Sequence, residues 1–153
     1  MTRGSVFLFA MLSCCFHAAA LDTNANLLAN PGFEDAADNG LPAQWSGPTA
    51  VYQRDTELPH AGAASLRYAN DDASRYVLCS QTVNVVAARI YEIGAWVKTK
   101  GIAGDESGAT LCMEWHGADG KYIGGCYPTG IKGDNDWTWV HGTTNRVPEN
   151  VAH

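Results

Sequence analysis

Beyond residue 20 the chain holds a single phenylalanine, Phe33, beside five tryptophans and six tyrosines. No stretch after residue 26 keeps helical periodicity for about three turns, which leaves short strands as the building unit. There is no Cys-x-x-Cys, so neither a zinc knuckle nor a thioredoxin-type site is indicated. Also absent are the Gly-x-Ser-x-Gly elbow, the His-Glu-x-x-His pair, a phosphate-cradling glycine loop and the EF-hand pattern. Basic residues are few, 10 against 16 acidic ones, a formal charge of −6 that argues against nucleic acid or an anionic membrane as partner. The acids lie mostly in turn segments, where a solvated charge is the ordinary role. A glycosidase-like carboxylate pair stays open as the alternative, but the expectation for this chain is a protein that is not an enzyme.

The N-terminus carries a leader pattern. Arg3 precedes a nearly unbroken apolar run from Val6 to Phe16, and Ala18-Ala19-Ala20 closes it with small residues. This is the arrangement of a secretory signal peptide over residues 1–20, cleaved before Leu21, and the expected location is extracellular. The run is too short to span a membrane. Residues 21–153 then form one domain, long enough for a core of its own. Cys14 and Cys15 leave with the leader, so Cys79, Cys112 and Cys126 remain. Export permits a disulfide, and the odd count leaves at least one thiol over.

Candidate strands are Ala64–Tyr68, Tyr76–Val85, Tyr91–Lys98, Thr110–His116, Lys121–Tyr127 and Thr138–Thr144, parted by Gly, Asp, Asn and Pro clusters. Such spacing predicts an all-β antiparallel sandwich or barrel. Because successive side chains alternate between faces, Tyr91, Ile93, Ala95 and Val97 read as core, with Glu92, Gly94, Trp96 and Lys98 on the other side. Leu111, Met113 and Trp115 form a second apolar face, opposed to Cys112, Glu114 and His116. A three-residue loop at Ala118-Asp119-Gly120, with Gly120 left-handed, keeps the hairpin's apolar face consistent. A two-residue Asp-Gly loop would mix the faces. The favoured register sets Cys112 opposite Cys126, close enough for a disulfide. Cys79 has the parity of Val77, Val83 and Val85 and reads as a buried thiol, its pairing with either other cysteine being the competing arrangement.

Tyr and Trp join a flat apolar face to a hydrogen-bonding edge, which suits a surface that is both wet and apolar. A sugar ring has the matching character. Trp45 and Trp137 read as packing residues and Trp115 as core, whereas Trp96 and Trp139 alternate with polar or small neighbours and are the candidate platforms. Glu114, His116 and Tyr122 share a polar face and are the candidates for ring hydroxyls. Whether they adjoin the tryptophans depends on strand order, which parity does not give.

The ordered series "NLLANPGFED", "LPAQWSG", "GAASLRY", "SQTVNV", "YEIGAWVKTKG", "ADGKYIGG" and "DWTWVHGTTNRVPEN" resembles the carbohydrate-binding modules of the family 4, 9, 16 and 22 group, from about Asn26 onward. The resemblance implies a non-catalytic jelly-roll sandwich, carried by a secreted glycoside hydrolase and holding it on β-glucan or xylan. It also implies a structural calcium at Glu34, shared in such modules with backbone carbonyls and an aspartate near the C-terminus. Only Glu34 carries over from that set. Family modules continue past "RVPEN" with further strands, so the expectation is a chain that lacks the last one or two strands of the sandwich and is the front of a longer protein. The alternative function is a cell-surface or adhesion sandwich that binds protein or glycoprotein.

Overall fold

A computed structural model describes the backbone of residues 4–15, 25–72, 76–103 and 107–152, with side chains described from residue 25 onward. Among these residues there is no helix, and every strand pairs antiparallel, as the sequence predicts. Seven strands are present: β1 (Gly4–Cys15), β2 (Tyr52–Asp55), β3 (Ser65–Asn70), β4 (Ile90–Ile102), β5 (Met113–His116), β6 (Tyr122–Cys126) and β7 (Gly133–Thr143). A five-stranded sheet runs β2-β3-β1-β4-β7, and β5-β6 form a separate hairpin.

The alternation of β4 sets the layers. Tyr91, Ile93, Ala95 and Val97 are buried toward the hairpin side. Two clusters grow from that edge of the strand. Ala95 and Val97 join Phe33, Ala64, Leu66, Ala109 and Val140. Tyr91 and Ile93 join Met113, Trp115 and Val147, which brings the hairpin's apolar face onto the sheet. Leu28 and Leu111 touch both clusters and so close the core between them.

The turn before Phe33 is tied by side chains. Asn30 Nδ2 donates to the Asp35 and Ala43 carbonyls at 2.9 Å each, while Asn30 Oδ1 accepts from Asp35 N–H. Asn30 and Phe33 both sit at positive φ, 48° and 61°. Asparagine visits that region readily, whereas phenylalanine does so at a cost. Burial offsets it, since Phe33 is fully enclosed and its ring meets Trp45 at 5.1 Å.

Four sequence expectations change. The apolar leader segment, taken as lying outside the fold, contributes β1, with Ser5 opposite Lys100, Cys15 opposite Ile90, and Gly4 to Leu8 along β3. As a strand, such a run satisfies its backbone by pairing on both sides, and β3 and β4 offer both edges. The expected cleavage point lies outside the described residues. Second, Tyr76–Val85 is extended but makes no ladder; a bridge joins Ser80 to Ser46, Gln81 links to Ala29, and the Tyr52 hydroxyl donates to Val77 O at 3.0 Å. Its alternation holds nonetheless, with Cys79 packed on the first cluster and Val83 and Val85 on the second. Third, β2 was not among the candidates, because Tyr52-Gln53-Arg54-Asp55 has too little apolar content to mark a strand. Fourth, the hairpin loop forms as expected, with Gly117 N–H donating to Lys121 O and Gly120 at φ 75°, but a bulge follows it. His116 faces Tyr122 and Trp115 faces Gly124, so Ile123 is the extra residue, packed onto the second cluster. Every later pair is shifted by one, and Cys126 stands opposite Met113 rather than Cys112.

Phe33→Ala is expected to lower unfolding free energy by about 3–5 kcal/mol, read as the shift of a urea midpoint. A loss below about 1 kcal/mol would show that Phe33 does not anchor the first cluster.

Candidate functional site

The side of β4 turned away from the core carries a row of rings. Trp96 pairs across strands with Trp139, their centroids 5.5 Å apart. His60, from the loop between β2 and β3, stacks on Trp96 at 4.5 Å and 13°, and meets Trp137 edge-on at 5.2 Å. At the other end Trp139 lies 6.2 Å from His141 at 20°. Ion pairs flank the row. Lys98 Nζ reaches Asp136 Oδ1 at 2.6 Å, and His141 Nδ1 stands 4.0 Å from Glu92 Oε1. The Lys98 bond holds the Asp136 carboxyl below its usual range, with the Trp137 N–H adding to the effect.

Gly94 explains how Trp139 lies. Its parity points outward, yet it is buried, because the indole covers it. A β-carbon there would collide with ring carbons Cζ2 and Cη2 of Trp139. The glycine therefore leaves room for the six-membered ring of the indole to come down against the sheet. Trp96 differs, since the His60 imidazole already lies along one face of its ring.

Glu114, His116 and Tyr122 do not adjoin this row. They sit on the side of the hairpin turned away from the core, and Trp96 and Trp139 sit on the opposite outer side of the molecule, with both core clusters between. The five sequence candidates thus separate into two surfaces. Sequence reasoning also passed over two members of the ring row. Trp137, taken as a packing residue, has the parity of Trp139 and His141, a signal that was available. His60 comes from a loop and has no periodic signature.

On the hairpin's outer side, Tyr127 hydroxyl lies 3.0 Å from both Glu114 Oε1 and Tyr122 hydroxyl. One phenol has one proton, and Tyr127 has two acceptors for it, the Tyr122 oxygen and the Glu114 carboxylate. Donation to Tyr122 holds the Tyr127 hydroxyl well above the ordinary phenol value, and desolvation and Glu114 raise it further. His116 Nε2 stands 3.7 Å from Glu114 Oε2, and its ring meets Tyr122 edge-on at 6.2 Å.

Cys79, Cys112 and Cys126 are free thiols, so the expected Cys112–Cys126 disulfide does not form in this structure. The bulge is the reason: Cys126 turns inward with Met113 onto the second cluster, while Cys112 has the outward parity of Glu114. Burial pushes the Cys79 thiol up to about 11.

Glu34 is held as a latch between loops. Both carboxylate oxygens accept from Ala63 N–H, at 3.0 and 3.1 Å, and a β-carbon at Gly62 would collide with Oε1. Arg54 Nε and Nη2 donate to the Phe33 and Glu34 carbonyls at 2.7 Å. Among the described residues no three His, Cys, Asp or Glu side chains converge on one point. A calcium ion at Glu34 would have to draw its remaining oxygens from backbone carbonyls, of which Phe33 and Glu34 already serve Arg54. Searches against protein-family models, curated proteins and solved structures return no match to this chain.

Gly94→Ala is expected to lift Trp139 from the sheet, shifting tryptophan emission and costing about 1–3 kcal/mol; unchanged emission would show that the glycine does not seat the ring. The raised Cys79 thiol binds its proton more tightly folded than unfolded. Its contribution is therefore complete below the unfolded thiol value near 9 and is lost as pH climbs through about 11. Alkaline titration followed by circular dichroism should place part of the stability loss in that window, and Cys79→Ala should remove that part.

Proposed function

We propose that this chain is a secreted, non-catalytic polysaccharide-binding module whose contact surface is the outer ring row carried by β4 and β7. The observation that carries the proposal is the cluster of Trp139, Trp96, Trp137, His60 and His141 rings on the side of β4 and β7 turned away from the core, with Trp139 packed over Gly94. Half-buried indoles match the C–H face of a pyranose ring, and polar groups at their rim match the hydroxyls. From Glu92 to Lys98 the row extends about 20 Å along the strand, the dimension of several linked sugars rather than one. Lys98, at one end of the row, is already paired with Asp136, which favours a neutral chain over a polyanion there. The module's work is to raise the local concentration of an attached hydrolase at its substrate, in keeping with a leader at residues 1–20.

Trp96 shares its ring closely with His60, at 4.5 Å, whereas the imidazole nearest Trp139, that of His141, stands off at 6.2 Å. The two indoles therefore contribute unequally. On affinity gels cast with soluble β-glucan or xylan, Trp139→Ala should weaken retention by roughly 30-fold, equivalent to about 2 kcal/mol, and Trp96→Ala by less. If both variants migrate as the parent does in every gel that retards the parent, the ring row is not the contact surface.

A further inference from the structure

On the outer side of the hairpin Gly125 faces outward opposite Glu114, and a β-carbon there would meet Met113 O at 2.6 Å, then the Tyr127 hydroxyl at 3.0 Å and its ring carbon Cε2 at 3.1 Å. The edge of the Tyr127 ring thus comes close to the glycine. The neighbouring phenols are unusually open for rings: Tyr76 is 79% exposed, Tyr122 56% and Tyr127 53%. Tyr76 is close enough to the carboxylate of Glu114 for that charge to raise its phenol, after desolvation and Cys112. The surface therefore combines the exposed phenol rings of Tyr122 and Tyr127 with a run of oxygens, Tyr122 hydroxyl to Tyr127 hydroxyl to Glu114.

We infer that this hairpin face is a second glycan-binding site, so that one chain binds two polysaccharide strands on opposite sides and cross-links them. The inference rests on the polysaccharide reading of the ring row and extends it from one site to two. The occupant follows from the chemistry of the patch. Tyr127 has one proton for two acceptors, so the Tyr122 oxygen and the Glu114 carboxylate together keep lone pairs free to accept from a ligand hydroxyl. Glu114 Oε2 is a second acceptor within the same run. Adjacent acceptors beside flat rings suit a vicinal diol on a pyranose. A polyanion would meet the Glu114 carboxylate and a chain of net charge −6, and is disfavoured. The two surfaces lie on opposite sides of the core, so one short oligosaccharide does not reach both.

Titration calorimetry with a six-sugar β-glucan or xylan oligosaccharide reads the number of sites. Light scattering on mixing with the long soluble polymer reads cross-linking, because two sites on one chain convert binding into networking. The parent should bind two oligosaccharides per chain and cloud the polymer. Tyr127→Ala should bind one, stay retained on gels and give no clouding. Trp139→Ala should likewise fall to one site without clouding. Tyr127→Phe, which keeps the ring beside Gly125 and removes only the hydroxyl, guards against a folding defect and should weaken one of two sites by roughly tenfold. A parent stoichiometry of one, with Tyr127→Ala and Tyr127→Phe unchanged in affinity and clouding, overturns the second site and leaves the ring row standing. Absence of any binding by the parent overturns the polysaccharide reading itself.

Discussion

Strict alternation along β4 is the constraint from which the rest is measured. Thirteen residues, Ile90–Ile102, supply both halves of the core on one side and the floor of the ring row on the other. A slip of one residue in its pairing with β7 would exchange those sides, putting Trp96 and Lys98 into the core and Val97 into solvent. The buried face forbids the slip. The position of Trp96 beside Trp139 is therefore fixed by the burial of Ala95 and Val140, residues that touch no ligand. Where the burden on alternation relaxes, beyond Val97, the pairing breaks into bulges, and the side chains there are the charged and amide groups Lys98, Asn135 and Asp136.

A second knot lies at residues 30–35, where the chain has few repeating bonds and uses side chains instead. Asn30 closes the turn, Trp45 Nε1 donates to its carbonyl at 3.1 Å, Arg54 gathers the next carbonyls, and Glu34 pins Ala63. The loop that carries His60 is thereby tethered from its far side, close to Gly62. A carboxylate directly after the turn joins two loops and needs no catalytic partner to account for its place.

The all-β class and the inward faces of β4 and the hairpin were legible because period-two alternation is a local property. Trp96 and Trp139 were legible for the same reason, and Trp137 was within reach by parity. Strand order was not. Glu114, His116 and Tyr122 share a polarity pattern with the tryptophans, but polarity says outward without saying which outward side. The bulge at Ile123 escaped because both registers bury Ile123 and Trp115, so apolar consistency could not choose between them. With it went the opposition of Cys112 and Cys126. The close approaches at Gly94 and Gly125 were invisible for a simpler reason, since a glycine's neighbour across space leaves no mark beside it in the chain.

The central place of β1 bears on the order of events at synthesis. The first strand made must wait for partners that come about 60 and 90 residues later, roughly 5–20 s at ordinary rates of translation. Pairings so distant in sequence form slowly. During that interval the apolar segment has no sheet to join. On the proposed reading of residues 1–20 as a leader, capture for export and sheet entry compete for one stretch of backbone. Whichever comes first decides whether β3 and β4 meet a strand between them or face each other across a gap one strand wide, about 10 Å.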